Sequence, residues 1–230
     1  MRKVLIIAGG RADDTFVGSV MDTEKPSAII AADRGTMVLD RLGIVPDYLV
    51  GDFDSSDVDI IEKYKGMFGT LGKPVIKQFC PEKDDTDTEI AIKTALTLSP
   101  DEIIITGATG TRLDHTLANI ELLMMPLAKG INAYIIDEYN KITLHDRSFT
   151  IKKDSAYGKY FSLIPFTEEV KGLSIHGAKY ELSDFTMTSG NSLGVSNEIV
   201  RAKVSVDFTE GILTVFETDD APLKEYNKRR

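Results

Sequence analysis

The period of the apolar pattern changes once along the chain, near Asn140, and that change limits the folds open to it. Before it, apolar residues come in short unbroken runs at residues 4–8, 28–32, 48–50, 103–105 and 133–136. Unbroken runs suit strands covered on both faces, as in a parallel sheet. Between them, Ile90, Ala91, Ala95 and Leu98 fall at helical spacing, as do Leu113, Leu117, Ile120, Leu123 and Met124. This alternation of strand and helix implies an α/β layer architecture. After Asn140 the period is two. Ile142 and Leu144 alternate with polar residues, Asp146-Arg147-Ser148 reads as a turn, and Phe149 and Ile151 resume the pattern. Val200, Ala202, Val204, Val206 and Phe208 then alternate with polar partners, and Thr209-Glu210-Gly211 leads into residues 212–216. That pattern predicts an antiparallel hairpin with one wet face. The expectation is an α/β fold in two parts: a mostly parallel α/β sheet domain over residues 1–138, then an antiparallel β-sandwich domain over residues 139–230. The tail, residues 224–230, is expected to fray.

Charge and composition exclude several function classes. Lys and Arg number 27 against 36 Asp and Glu, a net charge of −9. A nucleic-acid surface needs clustered basic charge, so no nucleic-acid partner is expected. A single cysteine, Cys80, allows neither an internal disulfide nor a cysteine-based zinc cage. The basic start, Met1-Arg2-Lys3, precedes an apolar run too short for a signal peptide. No stretch approaches the ~18 apolar residues of a membrane span. A cytoplasmic protein without a membrane partner is the expectation.

In an open α/β sheet, ligands bind beyond the carboxyl ends of the strands, and in this chain those ends are acidic. One apolar run leads into Asp33-Arg34-Gly35, another into Gly51-Asp52-Phe53-Asp54-Ser55, and a further acidic run spans residues 82–89. Any one of these acids is accounted for by helix capping: Asp85 or Thr86 as the cap, with Glu89 completing a capping box. Convergence of several is different, because two carboxylates 4 Å apart repel by roughly 4 kcal/mol at an effective dielectric near 20. A cation among them removes that cost. Oxygen donors with only three His in the chain point to Mg²⁺ rather than a transition metal.

A magnesium site at a sheet edge points to phosphoryl chemistry. Neither the P-loop pattern nor the dinucleotide G-x-G-x-x-G fingerprint is present. What remains is a glycine-rich turn, Gly107-Ala108-Thr109-Gly110-Thr111-Arg112, just before a helical pattern. Backbone N–H groups at such a turn hold anions, and Arg112 adds a fork-shaped cation for phosphate oxygens. Asp114 accepts hydrogen bonds from a base or ribose, or orients Arg112.

Taken together, six segments resemble the thiamine pyrophosphokinase family. They are residues 32–35, residues 46–55 (Pro-Asp-Tyr-Leu-Val-Gly-Asp-Phe-Asp-Ser), residues 81–87 (Pro-Glu-Lys-Asp-Asp-Thr-Asp), residues 107–119, and a pair of C-terminal pieces at 177–180 and 194–198. The resemblance implies transfer of a pyrophosphoryl group from ATP to the hydroxyl of thiamine, giving thiamine diphosphate and AMP. It implies an ATP- and Mg²⁺-binding α/β domain, a thiamine-binding β-sandwich and a homodimer, with the vitamin between the α/β domain of one subunit and the β domain of the other. By position in the motifs, Asp52, Asp54 and Asp87 hold Mg²⁺. Asp33, Lys83, Arg112, Asp114 and His115 face the nucleotide and its phosphates, and Ser196 and Asn197 contact thiamine. The catalytic set is then Asp52, Asp54, Asp87, Arg112 and Asp114, with either Asp87 or Asp114 as acceptor of the alcohol's proton. Two other readings compete. One is a Mg²⁺-dependent phosphatase with Asp52 as nucleophile and Asp54 as acid–base; the other is a non-catalytic nucleotide- or thiamine-binding module.

Overall fold

The computed structural model describes residues 1–51, 58–78, 85–223 and 226. The chain divides into two compact units, Met1–Asp137 and Glu138–Arg230. In the first, strands and helices follow one another as β1 (Lys3–Ile7), α1 (Asp14–Glu24), β2 (Ala28–Ala32), α2 (Gly35–Arg41), β3 (Tyr48–Gly51), α3 (Val58–Leu71), β4 (Val75–Gln78), α4 (Asp87–Thr97), β5 (Glu102–Thr106), α5 (Leu113–Glu121), α6 (Met124–Leu127) and β6 (Asn132–Ile136). Its strands lie in the order β6-β5-β1-β2-β3-β4, every described pair parallel. The unbroken apolar runs have the expected cause: Val4, Leu5, Ile6, Ile7, Ile103, Ile104 and Ile105 are fully buried. Strand β4 has no such run, because as the outermost strand of this sheet its Val75 stays exposed and its Lys77 reaches Thr94.

The order of strands creates a switch point. From β1 the chain steps to β2, β3 and β4 on one side, then returns to place β5 and β6 on the other side of β1. The register sets Ile7 level with both Ala31 and Thr106. The loops leaving β1, β2 and β5 therefore open at the same edge. Local sequence fixes the helix starts there. Asp13 caps α1 by accepting from the Phe16 N–H at 2.9 Å. Thr86 caps α4 by accepting from the Glu89 N–H at 3.2 Å. The Glu89 carboxylate itself lies 2.9 Å from Lys93, which also holds Asp85 at 2.6 Å.

The second unit holds β7 (Asn140–His145), β8 (Phe149–Lys152), β9 (Tyr160–Pro165), β10 (Glu169–His176), β11 (Leu182–Thr188), β12 (Asn197–Glu198), β13 (Lys203–Asp207) and β14 (Leu213–Thr218). They form two sheets, β12-β9-β14-β7 and β11-β10-β13-β8. Their inner faces share one apolar core that includes Phe161, Leu163 and Val215 from the first and Leu173, Ile175, Val204 and Val206 from the second.

One expectation needs correcting. Residues 200–208 and 212–216 do not form a hairpin: β13 pairs with β8 and β10, whereas β14 pairs with β7 and β9 in the other sheet. The connection is an arch between layers, pinned by the Thr209 N–H on the Lys171 carbonyl at 2.9 Å. Alternation of two marks a half-buried strand but carries no information about which sheet it joins. The strand also starts at Lys203, and Val200 before it is exposed. Of the tail expected to fray, residues 224–230, Tyr226 alone is among the described residues; it is buried, with its ring 6.1 Å from that of Tyr157. Among the described residues no helix is long and apolar enough to cross a membrane.

Candidate active site

At the switch point of the first unit lies a cavity of about 900 Å³, within the range of roughly 300–1,000 Å³ usual for small-molecule sites. Its walls come from the loop after β1 (Gly9, Gly10, Arg11), the residues after β2 (Asp33, Arg34, Met37), the start of α4 (Thr86, Asp87) and the glycine turn through Arg112 to His115 and Asn119. Asp33, Asp87, Arg112 and His115, singled out from sequence, are thus brought together. Asp52, Asp54 and Lys83 lie outside the described residues. Ser196 and Asn197 lie in the second unit.

The two glycine loops are joined by backbone. The Gly10 N–H donates to the Gly107 carbonyl at 2.7 Å and the Arg11 N–H to the Thr109 carbonyl at 2.8 Å. Gly107 has φ +69 and sits so close to β1 that a Cβ there would lie 2.5 Å from the Ala8 carbonyl oxygen. A residue with a side chain would force the loops apart. Asp33 also adopts a left-handed backbone (φ +48), a conformation costly for non-glycine residues and often found at functional positions.

Arg112 and Asp114 form a forked pair, Nε to Oδ1 at 3.2 Å and Nη2 to Oδ2 at 2.5 Å. The hydrogen bonds from Arg112 bring the Asp114 carboxyl down to about 2, and Asp114 raises Arg112 in return. Both groups stay charged across the physiological range. A second such pair stands at the rim, where Arg41 binds Asp14 through two contacts of 2.7 Å. Arg11, Arg34 and Met37 were not anticipated from sequence. The signal was the Gly9-Gly10-Arg11 segment at the end of the first apolar run, but its importance depends on strand order, which the sequence pattern does not reveal.

No three His, Cys, Asp or Glu among the described residues are grouped closely enough to hold a metal ion. The donors assigned to Mg²⁺ are carboxylate oxygens only, and of them Asp87 lines the cavity. That donor chemistry suits a hard divalent cation.

In the second unit, Asn197 is buried and its amide brackets the backbone of Tyr180: Oδ1 accepts from the Tyr180 N–H at 3.0 Å and Nδ2 donates to the Tyr180 carbonyl at 2.7 Å. Ser196 is exposed and left-handed (φ +59), and its N–H donates to Ser162 Oγ at 3.0 Å.

Comparison with known proteins fits this arrangement. Residues 22–135 match the thiamin pyrophosphokinase catalytic domain and residues 148–213 the thiamin pyrophosphokinase vitamin B1 binding domain. A thiamine pyrophosphokinase of Bacillus subtilis is 34% identical over 221 residues, covering 96% of this chain and 100% of the relative. The chain belongs to the thiamin pyrophosphokinase family. Solved structures agree. The Bacillus subtilis thiamine pyrophosphokinase superposes with a TM-score of 0.83 at 32% identity, over 96% of this chain and 100% of that one. The Geobacillus thermodenitrificans thiamin pyrophosphokinase gives 0.80 at 32%, over 95% and 98%. Membership of the thiamin pyrophosphokinase family sets aside the phosphatase and the non-catalytic readings, and makes the chain an ATP-dependent pyrophosphoryl transferase.

Proposed function

We propose that the cavity of the first unit binds ATP and that the thiamine hydroxyl attacks the β-phosphorus there. The new bond joins the alcohol oxygen to that phosphorus, the bond to the oxygen bridging the α- and β-phosphates breaks, and AMP leaves. What supports this reading is the meeting, at one switch point, of a glycine turn with the arginines and carboxylates that a triphosphate needs. In this account residues 1–138 are the ATP- and Mg²⁺-binding catalytic domain, and residues 139–230 bind thiamine and form the dimer. Asp52, Asp54 and Asp87 are the carboxylates that would hold Mg²⁺, which when bound offsets charge on phosphate oxygens. Asp33, Lys83, Arg112 and His115 face the nucleotide, and the forked contact from Asp114 aims the Arg112 guanidinium. A loose phosphoryl-transfer transition state needs little help with the alcohol's proton. Asp114, at about 2, is a weak proton acceptor, which favours this orienting role over that of base.

Ser196 and Asn197 form the thiamine side, with the Tyr180 backbone held by the Asn197 amide and the Tyr180 side chain exposed. The protein works as a cytoplasmic homodimer. The second copy would not meet residues 139–230 alone: it would also cover α5 of the first unit, whose Leu113 and Leu117 are 77% and 61% exposed although they share one helical stripe. The deciding experiment incubates the protein with ATP, Mg²⁺ and thiamine. Thiamine diphosphate and AMP are expected in equal amounts; ADP with thiamine monophosphate would refute attack at the β-phosphorus.

A further inference from the structure

The glycine turn after β5 is fastened from both sides, and one fastener is a buried carboxylate to which the reaction assigns no part. Thr109 is the centre of this arrangement. Its carbonyl accepts from the Arg11 N–H at 2.8 Å, on the β1 side of the cavity. Its hydroxyl donates to Asp137 Oδ2 at 2.7 Å, on the β6 side. The residue before it is fastened as well, the Ala108 carbonyl accepting from Asn119 Nδ2 at 2.7 Å. Asp137 follows the last strand of the first unit and is only 7% exposed. A carboxylate this close to a phosphate-binding loop would repel the ligand if its charge faced the cavity. Asp137 is not among the residues that line the cavity, whereas Thr109 is. The threonine stands between the two, with its hydroxyl turned toward the acid.

We propose that Asp137 is a positioning residue for nucleotide binding, acting through Thr109 to hold the turn, and so Arg112, in the shape that receives the phosphates. This rests on the reading of the cavity as the ATP site. A donor held by a charged acceptor is among the stronger hydrogen bonds, and a loop pinned before the ligand arrives loses less freedom on binding.

The test uses the full chain with Mg²⁺ and α,β-methylene-ATP, whose bond at the cleavage position cannot break, titrated calorimetrically. Thr109→Val keeps the side chain's shape and removes the donor; it should weaken binding of the analogue about tenfold. Thr109→Ser, which keeps the donor, should bind within about twofold of the unaltered chain. The KM for thiamine should not move in either variant. Asp137→Ala should weaken binding of the analogue at least as much as Thr109→Val, and the double variant should lose less than the two single losses multiplied together, because the Thr109–Asp137 bond is then removed twice. Binding by Thr109→Val equal to the unaltered chain, equal losses for Thr109→Ser and Thr109→Val, or multiplying losses in the double variant would each overturn the proposal. If the unaltered chain forms no AMP from ATP and thiamine, the reading of the cavity fails instead.

Discussion

Replacing Gly10 with alanine tests how the two glycine loops are built. A Cβ at Gly10 would lie 2.5 Å from the carbonyl oxygens of both Gly107 and Thr109. Real Cβ atoms essentially never approach closer than 3.0 Å, so the two loops must part by about 0.5 Å. The same two oxygens accept from the Gly10 and Arg11 N–H groups, so the strain falls on the bonds that join the loops. Overpacking of this kind costs roughly 1–3 kcal/mol, and weakening two backbone hydrogen bonds adds about 1 kcal/mol. Gly10→Ala should therefore destabilise the first unit by about 2–4 kcal/mol and raise the KM for ATP. The control is Gly18→Ala in the middle of α1, where nothing lies within 4 Å of the added carbon. A helix gains about 0.5–1 kcal/mol from that exchange. Urea unfolding followed by helical circular dichroism reports the first unit, since α1 to α6 all belong to it. The two midpoints should move in opposite directions at unchanged slope. A Gly10→Ala midpoint and ATP KM equal to those of the unaltered chain would refute the close approach of the loops.

Three further outcomes are expected. Asp87→Ala, or chelation of Mg²⁺ by EDTA, should abolish AMP formation while circular dichroism stays native; near-normal turnover in either would count against the carboxylate set. Asn197→Ala should raise the KM for thiamine more than that for ATP, and the reverse pattern in steady-state kinetics would move the vitamin elsewhere. His145, stacked on Phe149 at 4.0 Å, is brought down to about 4 by burial and then by the Lys141 charge. Unfolding lets it take up a proton near its ordinary value of about 6.5. Stability of the second unit should therefore fall as pH drops from 6.5 to 4, by at most about 3 kcal/mol. His145→Phe should flatten that dependence in urea titrations, and an unchanged slope would rule His145 out.

The parallel sheet was readable because its strands are apolar without interruption, and only burial on both faces gives that pattern; residues 4–8 and 103–105 are the clearest cases. β4 escaped because an edge strand carrying Lys77 lacks the signature. In the second unit the alternation of Val204, Val206 and Phe208 located a strand, yet the same pattern is compatible with either sheet of a sandwich, so the hairpin expectation failed. In the site, the acids and Arg112 stood out by residue type and spacing. Arg11, Arg34 and Met37 did not, because they join the cavity only once β5 is placed beside β1. Thr109 and Asp137 are separated by 28 residues, and no local pattern announces a bond of that span.

The position of β1 between β5 and β2 also has a consequence for synthesis. Strand β1 emerges from the ribosome well before its neighbour β5, so one of its edges stays open until residues 102–106 follow. A nascent chain halted before that point presents an apolar strand with unpaired backbone, a template for sticking to other chains. The cavity of the first unit cannot close any sooner, because its glycine turn follows β5, so a ligand there offers the growing chain no protection before that point.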